Sequence, residues 1–284
     1  MLSEYRIDKL IGEGGFGLTY LAFDTNLDKS VAIKEYMPSD FALRQDDTNI
    51  VPKSVVTEDM YKWGLEAFLQ EAKTLAKFNA PNIVQIYRFF KANGTAYLVM
   101  EYLEGGCLSD FFPKNESYQD EQTRVLMSEA RVRNIIGPIM NGLQQVHDGG
   151  ILHRDIKPSN IMFNKDKTPV LIDFGAARQA IEEKSRSLTA ILTPGYAPLE
   201  QYSSKANLGP HTDIYALAAV AYLCLTGKKP DEATDRIIND EIQVLANRSN
   251  ASAFLKSVDW GLAVSAKDRP QILKTWYDAW YIAD

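Results

Sequence analysis

His153-Arg154-Asp155-Ile156-Lys157-Pro158-Ser159-Asn160 is the stretch on which the reading of this chain turns. Asp, Asn and Lys in succession usually mean a solvated loop. Here a second motif, Asp173-Phe174-Gly175, follows eighteen residues after Asp155 at the end of the strand-like run Val170-Leu171-Ile172, which argues against chance. Toward the N-terminus, Gly12-Glu13-Gly14-Gly15-Phe16-Gly17 lies between two β-like runs, Tyr5 to Ile11 and Leu18 to Phe23, and predicts a hairpin turn. Without Cβ atoms such a turn lets the backbone come close to a ligand and offer N–H donors. A dinucleotide-binding turn shares this spacing but needs a helix after the glycines, and here β-branched and aromatic residues follow. Val31-Ala32-Ile33-Lys34 reads as a buried strand ending in a lysine. From Lys62 to Phe78, Leu65, Phe68, Leu69, Ala72, Leu75 and Ala76 fall at helical spacing with Glu71 beside the stripe.

Together these motifs resemble the protein kinase family. Leu10 to Gly17, Ile33-Lys34-Glu35-Tyr36-Met37-Pro38 and Thr193-Pro194-Gly195-Tyr196-Ala197-Pro198 look most like bacterial serine/threonine kinases of the eukaryotic type, over residues 5 to 280. The resemblance implies transfer of the γ-phosphate of ATP to Ser/Thr hydroxyls of proteins, with Mg2+ as the ion and Mn2+ as an alternative. It makes Asp155 the base for the incoming hydroxyl, Asn160 and Asp173 the metal ligands, and Lys157 the cation for the moving phosphate. Gly12, Gly14 and Gly17 would cover the triphosphate, and Lys34, paired with Glu71, would hold its α- and β-phosphates. Thr19 stands where the family usually has Val on the adenine. Met100 would guard the back of the adenine pocket, the Glu101 carbonyl and Leu103 amide would bond the adenine edge, and Ile11, Ala32 and Met162 would close the slot. Cys107 would fall at the lip beside the ribose, or be an inert small residue.

The same resemblance makes Ala176 to Leu192 an activation segment with Ser185, Ser187 and Thr189 as candidate phosphosites and Arg154 as the partner of a phosphate there. Thr193 would bond Asp155 and Lys157 on the peptide platform, which favours Ser/Thr over Tyr as acceptor. The family's Ala-Pro-Glu is shifted to Ala197-Pro198-Leu199-Glu200, and Glu200 with Arg269 of Asp268-Arg269-Pro270 is expected as a buried ion pair. Cys107 and Ser159 stand where kinases selecting upstream arginine often carry acids, so a strong arginine requirement is not expected. Leu75, Ile86, His153 and Phe174 would form an apolar spine. Asp213 would hold the catalytic-loop backbone, and Ala218 replaces a family glycine.

The implied fold is α+β: a single bilobal kinase domain over 1–284, with a small β-rich N-lobe to about 100, a hinge at about 101–106, a helical C-lobe from about 107, and ATP between the lobes. Ser128 to His147 reads as a helix on the stripe Val132, Ile135, Ile136, Ile139, Met140, Leu143 and Val146. Residues 37 to 61 form a polar insertion, expected to brace or gate the helix bearing Glu71. The longest apolar run, Ile214 to Leu225, has 12 residues, too short for a bilayer and suited to a buried helix. At 284 residues, 45% hydrophobic, 24% charged and net charge -6, composition fits a soluble enzyme with a large core. Only Met1 to Glu4 precede the first strand, so no signal peptide is expected, and the two isolated cysteines fit a reducing cytoplasm. Protein substrates are expected, with transient self-association for autophosphorylation, and neither nucleic acid nor a membrane segment. Two rival readings are a scaffold that keeps the fold without catalysis and a kinase of small molecules. Lys34, Glu71, Asp155, Asn160 and Asp173 occurring together oppose the first, and the long activation segment with its platform opposes the second.

Overall fold

Val31, Ala32 and Ile33 are all buried, a run that only a central strand covered on both faces can hide. The structure is a computed structural model describing residues 4–112, 126–175, 192–203 and 205–282. Among the described residues the chain forms two compact units, one over 4–103 and one over 104–174 with 192–282. The activation segment expected at 176–192, including Ser185, Ser187 and Thr189, lies outside the described residues apart from Leu192.

The first unit begins with β1 (Tyr5–Gly14), β2 (Gly17–Asp24) and β3 (Lys29–Tyr36). Next come β4 (Ala42–Arg44), β5 (Ile50–Pro52), α1 (Val55–Leu75), β6 (Ile86–Ala92) and β7 (Thr95–Glu101). Five strands make one antiparallel sheet in the order β1-β2-β3-β7-β6. On one face Tyr5, Ala22, Val31, Ile33, Tyr97 and Val99 pack as a core. Asn93 and Gly94 turn β6 into β7 with φ of 52° and 73°, the left-handed pair that a tight hairpin requires. A Cβ on Gly94 would also stand 2.3 Å from the Ile50 carbonyl oxygen, so this glycine is fixed twice over.

The insertion is folded rather than a loop: it supplies the β4–β5 hairpin and the first turns of α1. The helix therefore starts at Val55, not Lys62, and ends at Leu75, before Phe78. Ser54 caps it by accepting from the Thr57 amide, while the Thr57 hydroxyl accepts from the Ser54 amide. Tyr61, Gly64, Phe68, Leu69, Ala72 and Leu75 form its buried stripe. Ala76 lies just past the end and is exposed.

In the second unit α2 (Glu129–Asp148) is capped by Ser128 and buries every residue of the expected stripe. A two-stranded ribbon, β8 (Ile161–Phe163) and β9 (Pro169–Leu171), follows. Next is α3 (Pro210–Thr226), buried from Thr212 to Thr226 and closed by Gly227 at φ 70°. Then come α4 (Ala233–Arg236), α5 (Ala253–Gly261) and α6 (Leu273–Asp278). A Cβ on Gly261 would lie 2.7 Å from that of Ala218, so α3 and α5 meet with no room for a larger pair. Trp276 and Trp280 are buried, the former donating to the Ser257 carbonyl at 2.7 Å. Among the described residues no helix is long and apolar enough to cross a membrane.

Glu200 and Arg269 pair as expected, with both Arg269 terminal nitrogens on the carboxylate at 2.7 Å. The guanidinium also donates to the carbonyls of Ala263, Val264 and His211, and the Thr212 hydroxyl donates to Glu200. Because Glu200 and Arg269 are both buried, removing one side strands the other. Arg269→Met should lower unfolding free energy by about 3–5 kcal/mol, read from urea denaturation, and an unchanged midpoint would refute the assignment.

Candidate active site

The catalytic stretch leaves α2 as a loop that bends back on itself at Arg154, whose φ is 62°. For a residue with a Cβ this conformation costs about 1–2 kcal/mol, so something must hold it. Asp213, at the start of α3, accepts the amides of His153 at 2.9 Å and Arg154 at 2.7 Å, together with the His147 ring at 2.7 Å. Gln201 closes the other side by donating to the Arg154 carbonyl at 2.7 Å. Burial alone would raise the Asp213 carboxyl, but the hydrogen bonds and the neighbouring histidines outweigh it and hold the group below the usual carboxylate range.

Beyond that bend four predicted residues converge. The Asp155 carboxylate accepts from the Thr193 hydroxyl at 2.9 Å on Oδ1 and from the Lys157 ammonium at 2.9 Å on Oδ2. Lys157 also reaches the Thr193 hydroxyl at 3.5 Å. Asn160 donates through Nδ2 to the Asp155 carbonyl at 2.8 Å, and its own carbonyl accepts from the Ile172 amide at 2.9 Å. That second bond ties the loop to the backbone just before Asp173, itself at φ 62°. With Nδ2 committed, Asn160 offers Oδ1, and Asp173 offers a carboxylate: hard oxygen donors of the kind a magnesium-like cation takes. The donor set fits a divalent metal.

His153 is fully buried, its ring 4.4 Å from that of Phe174. Its Nε2 donates to the Ile172 carbonyl at 3.0 Å and its Nδ1 accepts from the Asp155 amide at 3.2 Å, a pattern only the neutral ring satisfies. Met162 is half-buried on β8 and pairs with Cys107, whose thiol contacts the Pro158 carbonyl at 3.1 Å.

In the first unit β1 and β2 run into the glycine motif, leaving Gly15 and Phe16 as the turn. A Cβ on Gly17 would meet the Glu35 carbonyl oxygen at 2.2 Å, so the fold itself demands this glycine. Gly14 and Gly15 face open space, and Gly12 has only Thr19 at ordinary contact. The open side is what a turn receiving phosphates needs. Thr19 pairs with Lys34 across β2 and β3, and Ala32 with Met100 across β3 and β7. Ala32 and Leu103 are buried, Ile11 is exposed, and Lys34, Met100 and Glu101 are half-buried. Glu71 is half-buried on α1, and Leu75 and Ile86 are buried.

The family model described as protein kinase domain matches residues 5–252. The chain belongs to the protein kinase family. This kinase is 31% identical to the serine/threonine-protein kinase PknA of Nostoc sp., over 94% of this chain and 45% of that one. It is 32% identical to serine/threonine-protein kinase D of Synechocystis sp., over 82% of this chain and 42% of that one. Among solved structures it is similar to PpkA-294 in its apo form, at a TM-score of 0.83 and 37% identity, covering 97% of this chain and 95% of that one. The kinase thus spans under half the length of these two curated relatives. The expected family and α+β kinase fold are borne out, and the curated relatives are named serine/threonine-protein kinases.

Sequence reasoning missed three supporting residues. His147 ends the α2 stripe four residues after Leu143, a spacing that signalled burial. Gln201 gave no signal. Glu35, beside Lys34, is buried with its carboxylate bonded to Tyr20, Tyr97 and Arg44, and strand alternation with Ile33 and Val31 was the available clue.

Burial pushes the His153 ring pKa down, below its ordinary value of about 6.5. An unfolded chain therefore binds a proton near that pH while the folded one does not, and stability falls as pH drops through about 6.5. Asp213, held below about 3.9 by its hydrogen bonds and the neighbouring histidines against the effect of burial, adds a loss at lower pH. A Tm series from pH 7.5 to 5 should show the first decline, and His153→Phe should flatten it. An equal slope in the variant would assign the decline elsewhere.

Proposed function

We propose that this domain transfers the γ-phosphate of ATP to Ser and Thr hydroxyls of protein substrates, including its own activation segment. The convergence of Thr193, Lys157 and Asn160 on Asp155 is the observation that supports the reading most strongly. Asp155, its two oxygens oriented by Thr193 and Lys157, accepts the proton of the attacking hydroxyl as that oxygen bonds to the γ-phosphorus. The bond to the β-phosphate oxygen breaks, and ADP leaves with its electron pair. Lys157 offsets the negative charge on the moving phosphoryl group. Asn160 and Asp173 hold the metal, Mg2+ with Mn2+ as an alternative, which when bound supplies positive charge to the phosphate oxygens.

Gly12, Gly14 and Gly17 let the backbone of the turn approach the phosphates, and Lys34, oriented by Glu71, pairs with the α- and β-phosphates. Ile11, Thr19, Ala32 and Met100 supply apolar surface for adenine, whose edge bonds the Glu101 carbonyl and Leu103 amide. Thr193 doubles as the platform that favours Ser/Thr acceptors. Arg154 receives the phosphate once Ser185, Ser187 or Thr189 is modified, in a transient encounter between two copies. The cytoplasm supplies ATP and suits the free cysteines Cys107 and Cys224.

Labelled ATP and magnesium should mark wild-type protein, with phosphosites by mass spectrometry within 176–192. Asp155→Asn should transfer label about 10²–10⁴-fold more slowly, as expected for loss of a general base. A variant as active as wild type would remove Asp155 from the chemistry, and no label in either would favour the scaffold reading. Replacing Ser185, Ser187 and Thr189 together by Ala should lower substrate turnover, and full activity would refute the switch.

A further inference from the structure

The segment after Lys34 does more than connect. Met37 donates its amide to the Phe16 carbonyl at 3.2 Å, and Ser39 donates to the Gly15 carbonyl at 3.0 Å. These two bonds hold the tip of the glycine turn from the side opposite any ligand-facing amide. Neither Met37 nor Ser39 lies in a regular element, so their positions depend on how the chain is anchored before and after them.

Before them the anchor is β3; after them it is Arg44, at the end of β4. The Arg44 guanidinium forms an ion pair with Glu35 and also donates to the Tyr20 hydroxyl at 3.3 Å and the Thr48 carbonyl at 3.3 Å. Glu35 is buried and accepts as well from the Tyr97 hydroxyl at 2.7 Å and the Tyr20 hydroxyl at 3.0 Å, so one carboxylate joins β2, β3 and β7. Burial, with Glu35 alongside, pushes the Tyr20 phenol up to about 12, which keeps it a donor. The hairpin bearing Arg44 is itself fixed. Asp46 accepts the Thr48 amide at 2.8 Å in its turn, and Ile50 donates to the Asn93 carbonyl at 2.9 Å beside the β6–β7 turn.

We infer that Arg44 is a positioning residue for ATP: by pairing with Glu35 it closes residues 35–44 into a fixed loop whose Met37 and Ser39 amides hold the glycine turn over the phosphates. The inference rests on the ATP-dependent reading above for its effect on turnover. Its structural half does not, because Glu35, Arg44, the strap and the turn all belong to one unit. Removing the guanidinium frees one end of the strap and leaves the Glu35 charge buried without its cation. A looser turn weakens the hold on the nucleotide more than it slows the transfer step.

The test compares wild type with Arg44→Met and Arg44→Lys, measuring kcat, KM for ATP, and amide exchange at Met37 and Ser39 by NMR. Arg44→Met should raise KM for ATP about tenfold while kcat stays within about threefold, and both amides should exchange faster. Arg44→Lys, which keeps the charge, should recover most of the KM. A general loss of stability would instead lower kcat and spread faster exchange across the whole unit. A KM within about twofold of wild type, or wild-type exchange at Met37 and Ser39, overturns the inference. Should Arg44→Met fail to fold, Glu35→Gln removes the charge that Arg44 pairs with while keeping an oxygen acceptor for one of the two tyrosines, and gives the same readings. Wild type without any transfer would sink the kinase reading, while the exchange rates would still decide whether Arg44 holds the turn.

Discussion

The Asp213 carboxylate is the constraint on which the second unit's chemistry depends. It lies at the first turn of a helix buried along nearly its whole length, so it cannot move without moving the core. Its two oxygens take the amides of His153 and Arg154 and thereby fix a backbone bend that Arg154, a residue with a Cβ, would otherwise avoid. Everything after the bend inherits its register: the Asp155 side chain meets Thr193 and Lys157, and Asn160 meets the Asp155 carbonyl. A charged group fully removed from water is costly alone, and here three donors satisfy it.

The two strained residues of the site, Arg154 and Asp173, have nearly the same positive φ, and both are connected through His153. Its ring takes the Asp155 amide on one nitrogen and gives to the Ile172 carbonyl with the other, so the backbones flanking both aspartates are spaced by one rigid imidazole. Phe174 packs against that ring at a tilt of 42°, with the centroids 4.4 Å apart, which makes the position of the phenyl part of the same device. Protonating the ring would set two donors against each other at Nδ1, and desolvation already disfavours it.

Much of this was legible in sequence because the motifs are local. The strand pairs around the glycines and the stripe on α2 followed from patterns within short windows, whereas the Asp213 contact, between residues sixty positions apart, was implied by the family resemblance. Other features were not legible, for identifiable reasons. Val55 and Val56 are strongly exposed, so the first turns of α1 show no apolar period, and its start is marked by a Ser54–Thr57 box without the usual acidic or amide partner. β4 and β5 have three residues each, too few for alternation to register. The Glu35 cluster joins residues from β2, β4 and β7, and no local rule links a strand glutamate to an arginine on a hairpin that reads as loop.

The glycines separate what the fold requires from what a ligand requires. Gly17, Gly94 and Gly105 would each drive a Cβ to within 2.2–2.3 Å of a backbone oxygen, so their identity is explained with no ligand in view. Gly14 and Gly15 meet nothing within 4 Å, and neither has the positive φ that would favour glycine. Glycine at such positions weakens a hairpin, since it loses more conformational freedom on folding than any other residue and packs against nothing. A cost without a structural return needs another cause, and a polyphosphate lying against the backbone is one that a side chain would obstruct. The bonds from Met37 and Ser39 fit the same logic: a turn made of the most mobile residues can present its amides in one geometry only if it is held from behind.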